Sequence, residues 1–255
     1  MRPDPYAWSA DTDVLVIVPG LLVVYAAAAR VFPTPLWRAA CFAAGLALVL
    51  AAHVTPLAAI SNHYLLSAHL LQNVTLAEWA PALCVLGLSP ALASWLTSMR
   101  GARLATHPAF ALPLWLATYF AWHLPWVYDA ALRHPTTLLH LEHACYFASG
   151  CLLWWPVLHR RPHAISSGAK AAYLFLAFVL VSPVSLLLAL LPTPVYDFYE
   201  HAPRLWDLSA ATDQQIAGVT MAVEEAVVFF AACSLFLLRF LREEETRGLL
   251  SSGSG

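Results

Sequence analysis

Seven long apolar runs divide the chain, at about Val14–Phe32, Leu36–Ile60, Tyr64–Leu88, His107–Tyr128, Thr137–Leu158, Ala169–Leu191 and Asp213–Leu241. As helices rising about 1.5 Å per residue, each is long enough to cover the roughly 30 Å hydrocarbon layer of a bilayer. Pro19, Pro56, Pro81, Pro113, Pro125 and Pro183 fall inside the runs and are expected to kink or end helices, with neighbouring helices satisfying the freed carbonyls. The pattern predicts an all-α polytopic membrane protein, a bundle of seven transmembrane helices in one domain over residues 1–248. No internal repeat and no separate soluble domain is visible. The tail from 249 to 255, ending SSGSG, reads as a linker or tag remnant and is set aside.

Basic residues give the bundle a direction. Arg30, Arg38, Arg100, Arg103, Arg160, Arg161, Lys170, Arg239, Arg242 and Arg247 fall on one side, against Arg2, Arg133 and Arg204 on the other. Loops rich in Lys and Arg stay in the cytoplasm. The N-terminus is therefore expected outside and the C-terminus inside, which an odd number of spans satisfies. The outer loops are acidic, with Asp11, Asp13, Asp129, Asp197, Glu200, Asp207 and Asp213. The longest, Leu191–Thr212, contains PTPVYDFYEHAPRLW and is expected to form a partly ordered cap at the outer interface.

Composition agrees with this pattern. Hydrophobic residues make up 60% of the chain and charged residues 11%, against roughly 25% charged in soluble domains. A net charge of −2 without any basic tract gives no reason to expect nucleic-acid binding. Five cysteines, at 41, 84, 145, 151 and 233, lie in apolar stretches with no CxxC pair, so neither a disulfide framework nor a thiolate metal knuckle is indicated. The first residues are acidic rather than basic and run into a full span, unlike a cleavable signal peptide.

Titratable residues inside membrane spans are costly and mark sites or ion paths. With the orientation above, His53, His69, His123, His140 and His143 come from four different spans and share the outer leaflet. His140 and His143, at i and i+3, share one helix face, while Glu142 points elsewhere and is expected to pair with another helix or orient a histidine. His69, Gln72 and Asn73 form one polar stripe, with Glu78 deeper and on the opposite face. In the last span Asp213 and Gln214 begin at the outer interface, and Met221, Glu224 and Glu225 follow toward the middle. Two adjacent carboxyls at that depth are expected to include one that is protonated or hydrogen-bonded. Imidazoles suit Zn, Cu and Fe, and a thioether adds preference for Cu(I). No HExxH, Walker loop, GxGxxG or Ser/His/Asp order is present.

At these residues the chain resembles the seven-span CtaG-type cytochrome c oxidase assembly factors of bacteria. The resemblance rests on SAHLLQN running on to LGLSP (Ser67–Pro90), WHLPWVYDAAL (Trp122–Leu132), HLEHACYFASGCLLWWPVL (His140–Leu158) and DQQIAG (Asp213–Gly218). It implies a non-enzymatic assembly factor in a bacterial cell membrane, handling copper for the CuB centre of a haem–copper oxidase. Its partners would be oxidase subunit I and an extracytoplasmic copper donor. Carried over position by position, His69, His123, His140 and His143 match family histidines, and Asp213 and Gln214 match the last-span motif. The expected ligands of copper, as Cu(I), are these four histidines with Met221. His53, Gln72, Asn73, Glu142, Asp213, Gln214, Glu224 and Glu225 are expected as supporting or replacement groups. Asn73 stands where many members have a second histidine, and Glu224–Glu225 replace a Met-Trp-x-Pro-like continuation. These departures imply a divergent member. Two other readings stay open: a haem-binding redox enzyme with quinone near Trp122, Trp126 or Trp154–Trp155, and a copper or proton-coupled transporter using Glu78, Glu142, Glu224 and Glu225.

Overall fold

The computed structural model describes residues 4–252, and within them the chain is helical with no strand. Asp11 accepts from the backbone N–H groups of Asp13 and Val14 and so caps α1 (Thr12–Val31), which carries Arg30 in its last turn. Both ends are thus matched to the helix dipole. After α2 (Leu36–Val54) the second apolar run breaks at Thr55, which is extended ahead of Pro56, and α3 (Pro56–His63) starts anew. A residue before proline is pushed out of the helical region and proline donates no N–H, so the break is local chemistry. The third run stays continuous through α4 (Leu66–Val74), a π-helical turn at Thr75–Trp79 and α5 (Ala80–Gly87). Pro81 sits at the start of α5, where the wider turn absorbs its missing donor.

Two short helices, α6 (Pro90–Leu96) and α7 (Arg100–Ala105), lead into α8 (Pro108–Trp122). The fourth run breaks at His123–Leu124, and α9 (Pro125–Arg133) follows. A second π-helical turn, Pro135–Leu139, opens directly into α10 (His140–Leu158). The remaining helices are α11 (Ser167–Leu190), the short α12 (Asp197–His201) inside the long outer loop, and α13 (Ala210–Ser252). Part of the tail set aside above therefore continues α13, and residues 253–255 lie outside the described residues.

Among the described residues four helices are long and apolar enough to cross a membrane: α1, α2, α11 and α13 over Ala210–Arg247. A fifth is gained if Leu66–Gly87 and Pro90–Leu96, bent by 109°, count as one broken span. α10 has 19 residues, but His140, Glu142 and His143 dilute its apolar character. α11 and α13 pack along each other, α2 against α5, and α10 against α8, α5 and the first π turn. Small residues allow the closest crossings. A Cβ on Gly150 of α10 would stand 2.1 Å from the Ala77 carbonyl oxygen, and one on Gly218 of α13 would stand 2.3 Å from the Ala189 nitrogen. Helices in lipid gain little from burying apolar surface, so such close packing carries their association.

Candidate functional site

Asp213 fixes the start of α4. Its carboxylate accepts from the backbone N–H groups of Leu66 (2.7 Å) and Ser67 (3.1 Å) and from the Ser67 hydroxyl (2.5 Å). A carboxylate from α13 thus does the work of an N-cap, satisfying orphan donors at the positive end of the helix dipole. Gln214 holds the loop between α11 and α13, accepting from the Val195 N–H and donating to the Thr193 carbonyl. Both residues of the last-span motif therefore position other elements.

With α4 anchored, its polar stripe faces inward as the sequence implied. Gln72 donates to the Ala52 carbonyl and accepts from Ser61. Asn73 donates to Glu142 Oε1 at 2.9 Å, so Glu142 does meet another helix. His69, fully buried, stands with Nε2 3.6 Å from the same Glu142 oxygen. The loop between α11 and α13 completes the enclosure. Tyr196 stacks on Tyr128 at 4.0 Å, the Phe198 N–H donates to Asp129, and Arg133 pairs with Asp197. Tyr199 reaches down to the Ser61 carbonyl (2.5 Å) and to His69 Nδ1 (3.0 Å).

These partners fix the tautomers. The single hydroxyl proton of Tyr199 goes to the Ser61 carbonyl, so Tyr199 oxygen accepts from His69 Nδ1–H. That leaves His69 Nε2 without a hydrogen-bond partner. His53 Nδ1–H donates to the Val49 carbonyl (2.8 Å), so its Nε2 accepts from His143 Nδ1–H at 3.1 Å. That leaves the lone pair of His143 on Nε2. His123 Nδ1–H donates to the Tyr119 carbonyl (2.8 Å), beside the Tyr146 hydroxyl. In His69, His123 and His143 one ring nitrogen is held by a carbonyl, phenol or imidazole and the other is bare, the arrangement of metal-ligating histidines, whereas both nitrogens of His53 are engaged. Nε2 of His69, His123 and His143 all lack a hydrogen-bond partner, as do Glu142 Oε2 and the Tyr128 hydroxyl.

The rings of His69 and His143 are 6.1 Å apart, and Tyr128 lies between His69 (5.1 Å) and His123 (6.1 Å). Among the described residues no three His, Cys, Asp or Glu side chains already converge on one point as a metal site. His69 is the hinge of the arrangement, its ring 6.1 Å from that of His143 and its Nε2 3.6 Å from Glu142. A cavity of about 480 Å³ reaches His143, lined by Asp11, Asp13, His140, His53, Gln72 and His143. His140 stands at this mouth, a third exposed, with Nε2 3.5 Å from Asp11 and Nδ1 3.4 Å from Asp13. It shares the cavity with His143, as their i, i+3 spacing implied, but its ring is engaged by acids.

Met221 is buried in the apolar core on α13. Glu224 and Glu225 lie with Glu78 in a second polar cluster deeper in the bundle. Trp79 donates to Glu224, while Tyr119 and Ser185 donate to the two oxygens of Glu225. Of the groups joined here, Tyr119, Tyr128, Tyr146 and Tyr199 were not singled out by the sequence. The aromatic outer loop was visible, but the direction of its phenols was not.

An all-helical protein with several helices long and apolar enough to cross a membrane belongs among membrane proteins. The narrower identification follows from comparison with known proteins. The family model of the cytochrome c oxidase caa3 assembly factors matches residues 21–243, and the chain belongs to that family. It is an assembly factor rather than an enzyme. Neither the curated proteins nor the solved structures contain a match.

Proposed function

We propose that the protein serves cytochrome c oxidase assembly by holding copper between His69, His143 and Glu142 and passing it to the CuB centre of oxidase subunit I. The observation that carries this reading is the set of bare Nε2 atoms, each backed by a partner on Nδ1. The separations support it. Two ligand atoms 3.6 Å apart, as in His69 Nε2 and Glu142 Oε1, can share one ion at bond lengths of about 2.0–2.2 Å. Imidazole rings 6.1 Å apart can likewise flank one ion. Few ligands mean labile binding, which suits a carrier whose cargo must leave again. His123, beyond Tyr128, is the next donor on the way out of the site, and Met221 is a reserve thioether on α13.

The ion arrives from the outer side, from an extracytoplasmic copper donor, at the Asp11–Asp13–His140 mouth, where two carboxylates attract cations. This assigns the mouth to the outer face of a bacterial cell membrane, the N-terminus outside and the C-terminus inside. It treats the α4–α5 segment, α8 with α9, and α10 as spans beside α1, α2, α11 and α13, seven in all. The basic residues near the opposite ends support that direction.

The test is metal content and absorption of the purified protein, wild type beside His69→Ala/His143→Ala, with oxidase assembly followed in the same cells. The reading expects near-stoichiometric copper in the wild type after loading, its loss in the double variant, and impaired oxidase assembly. A Soret band would replace it with haem ligation, and copper retained in the double variant would place the site elsewhere.

A further inference from the structure

The deeper cluster holds a feature that copper handling does not use. Glu78 is 0% exposed in the first π turn, and neither of its carboxyl oxygens meets an N–H or O–H donor. Glu224 accepts from Trp79 through Oε1, while its Oε2 has no donor. Yet the Glu78 and Glu224 side chains stand within hydrogen-bonding reach of each other. Two carboxylates cannot make that contact, because both only accept. One proton between them resolves it.

We propose that Glu78 and Glu224 form a proton-binding site in the middle of the bundle, with Glu78 as the acid donating its O–H to the Glu224 carboxylate. The surroundings fit this assignment. Glu225 accepts from the Tyr119 hydroxyl at one oxygen (2.8 Å), and its other oxygen lies 3.1 Å from the Ser185 hydroxyl, which also meets the Ser182 carbonyl at 2.9 Å. Neither oxygen of Glu78 meets an N–H or O–H donor, whereas Glu224 has Trp79, so the proton is assigned to Glu78. The groups facing the pair are Tyr119 from α8, with Tyr146 of α10 beyond it, Ser185 from α11, and Glu225 from α13. The charged groups acting on Glu78 are Glu224 and Glu225, both acidic, so no cation balances the cluster. Unpaired charges in an apolar interior cost several kcal/mol each, and a shared proton removes one of them. Carboxyls this close titrate as a pair. The π turn sets Glu78 against α13, and π turns recur at functional positions.

This goes beyond the copper reading and is tested independently of it. Infrared spectra of the full chain in detergent would be compared at neutral and alkaline pH, for wild type, Glu78→Gln and Glu224→Gln. A protonated-carboxyl carbonyl band is expected in the wild type at neutral pH. It should fade at alkaline pH and disappear in Glu78→Gln. Glutamine mimics the neutral acid and can donate to Glu224, so Glu78→Gln should keep the wild-type melting temperature. The stability of the wild type should fall as pH rises, because the folded state holds a proton that the unfolded carboxyl releases. Glu78→Gln should lack that part of the fall. Labelling by dicyclohexylcarbodiimide, which reacts with protonated carboxyls in apolar surroundings, should map to Glu78 or Glu224. Absence of the band in the wild type, or its persistence unchanged in both variants, would overturn the proposal.

Discussion

At the scale of single residues, the candidate site depends on groups that hold other groups. Tyr199 sets the tautomer of His69, and Asp213 sets the helix that carries it. Tyr199→Phe is expected to leave the fold intact while freeing His69 Nδ1. Loss of such an orienting partner typically weakens metal affinity by about 10–100-fold, which copper titration against a competing chelator would read. Asp213→Ala removes three hydrogen bonds at the start of α4 and is expected to cost about 1–2 kcal/mol, the range for a lost N-cap, seen as a lower thermal midpoint. Much of this layer was legible in the sequence. The His69, Gln72 and Asn73 stripe and the shared face of His140 and His143 follow from helical spacing. Spacing alone could not say that His140 meets Asp11 and Asp13, nor that Glu142 would pair with Asn73. Those contacts cross between segments far apart in the chain.

At the scale of elements, the apolar runs located the helices, and proline chemistry decided where they break. Pro56 and Pro125 each begin a new helix after an extended residue, while Pro19, Pro113 and Pro183 lie inside continuous helices. One residue type gives both outcomes because neighbouring helices can satisfy a freed carbonyl, and a sequence does not show its neighbours. The π turn that aims Glu78 left no sequence signal for the same reason. Helix crossings are equally contextual. Gly150→Ala would drive a methyl group into the Ala77 carbonyl and must separate α10 from the first π turn. An overpacking cost of about 1–3 kcal/mol is expected, together with weaker copper binding, because α10 carries Glu142 and His143. Unchanged melting and unchanged binding would show that this crossing is looser than the structure has it.

At the scale of the whole molecule, membrane class and family were both readable from the chain: the first from apolar run length, the second from four motif blocks that the family match spans. Orientation is the next property to fix. Trp206 is exposed in the loop before α13 and Arg160 in the loop before α11. In a background without the five native cysteines, Trp206→Cys is expected to react with a membrane-impermeant thiol reagent in intact cells and Arg160→Cys only after permeabilisation. The opposite pattern would invert the bundle and place the Asp11–Asp13–His140 mouth on the cytoplasmic side. The central claim concerns what the histidine cluster holds, and X-ray absorption of the copper-loaded protein tests it most directly. The account expects a first shell of nitrogen and oxygen near 2.0 Å, with imidazole outer-shell scattering, lost in His69→Ala/His143→Ala. A sulfur-dominated shell, or the same spectrum in the double variant, would contradict it.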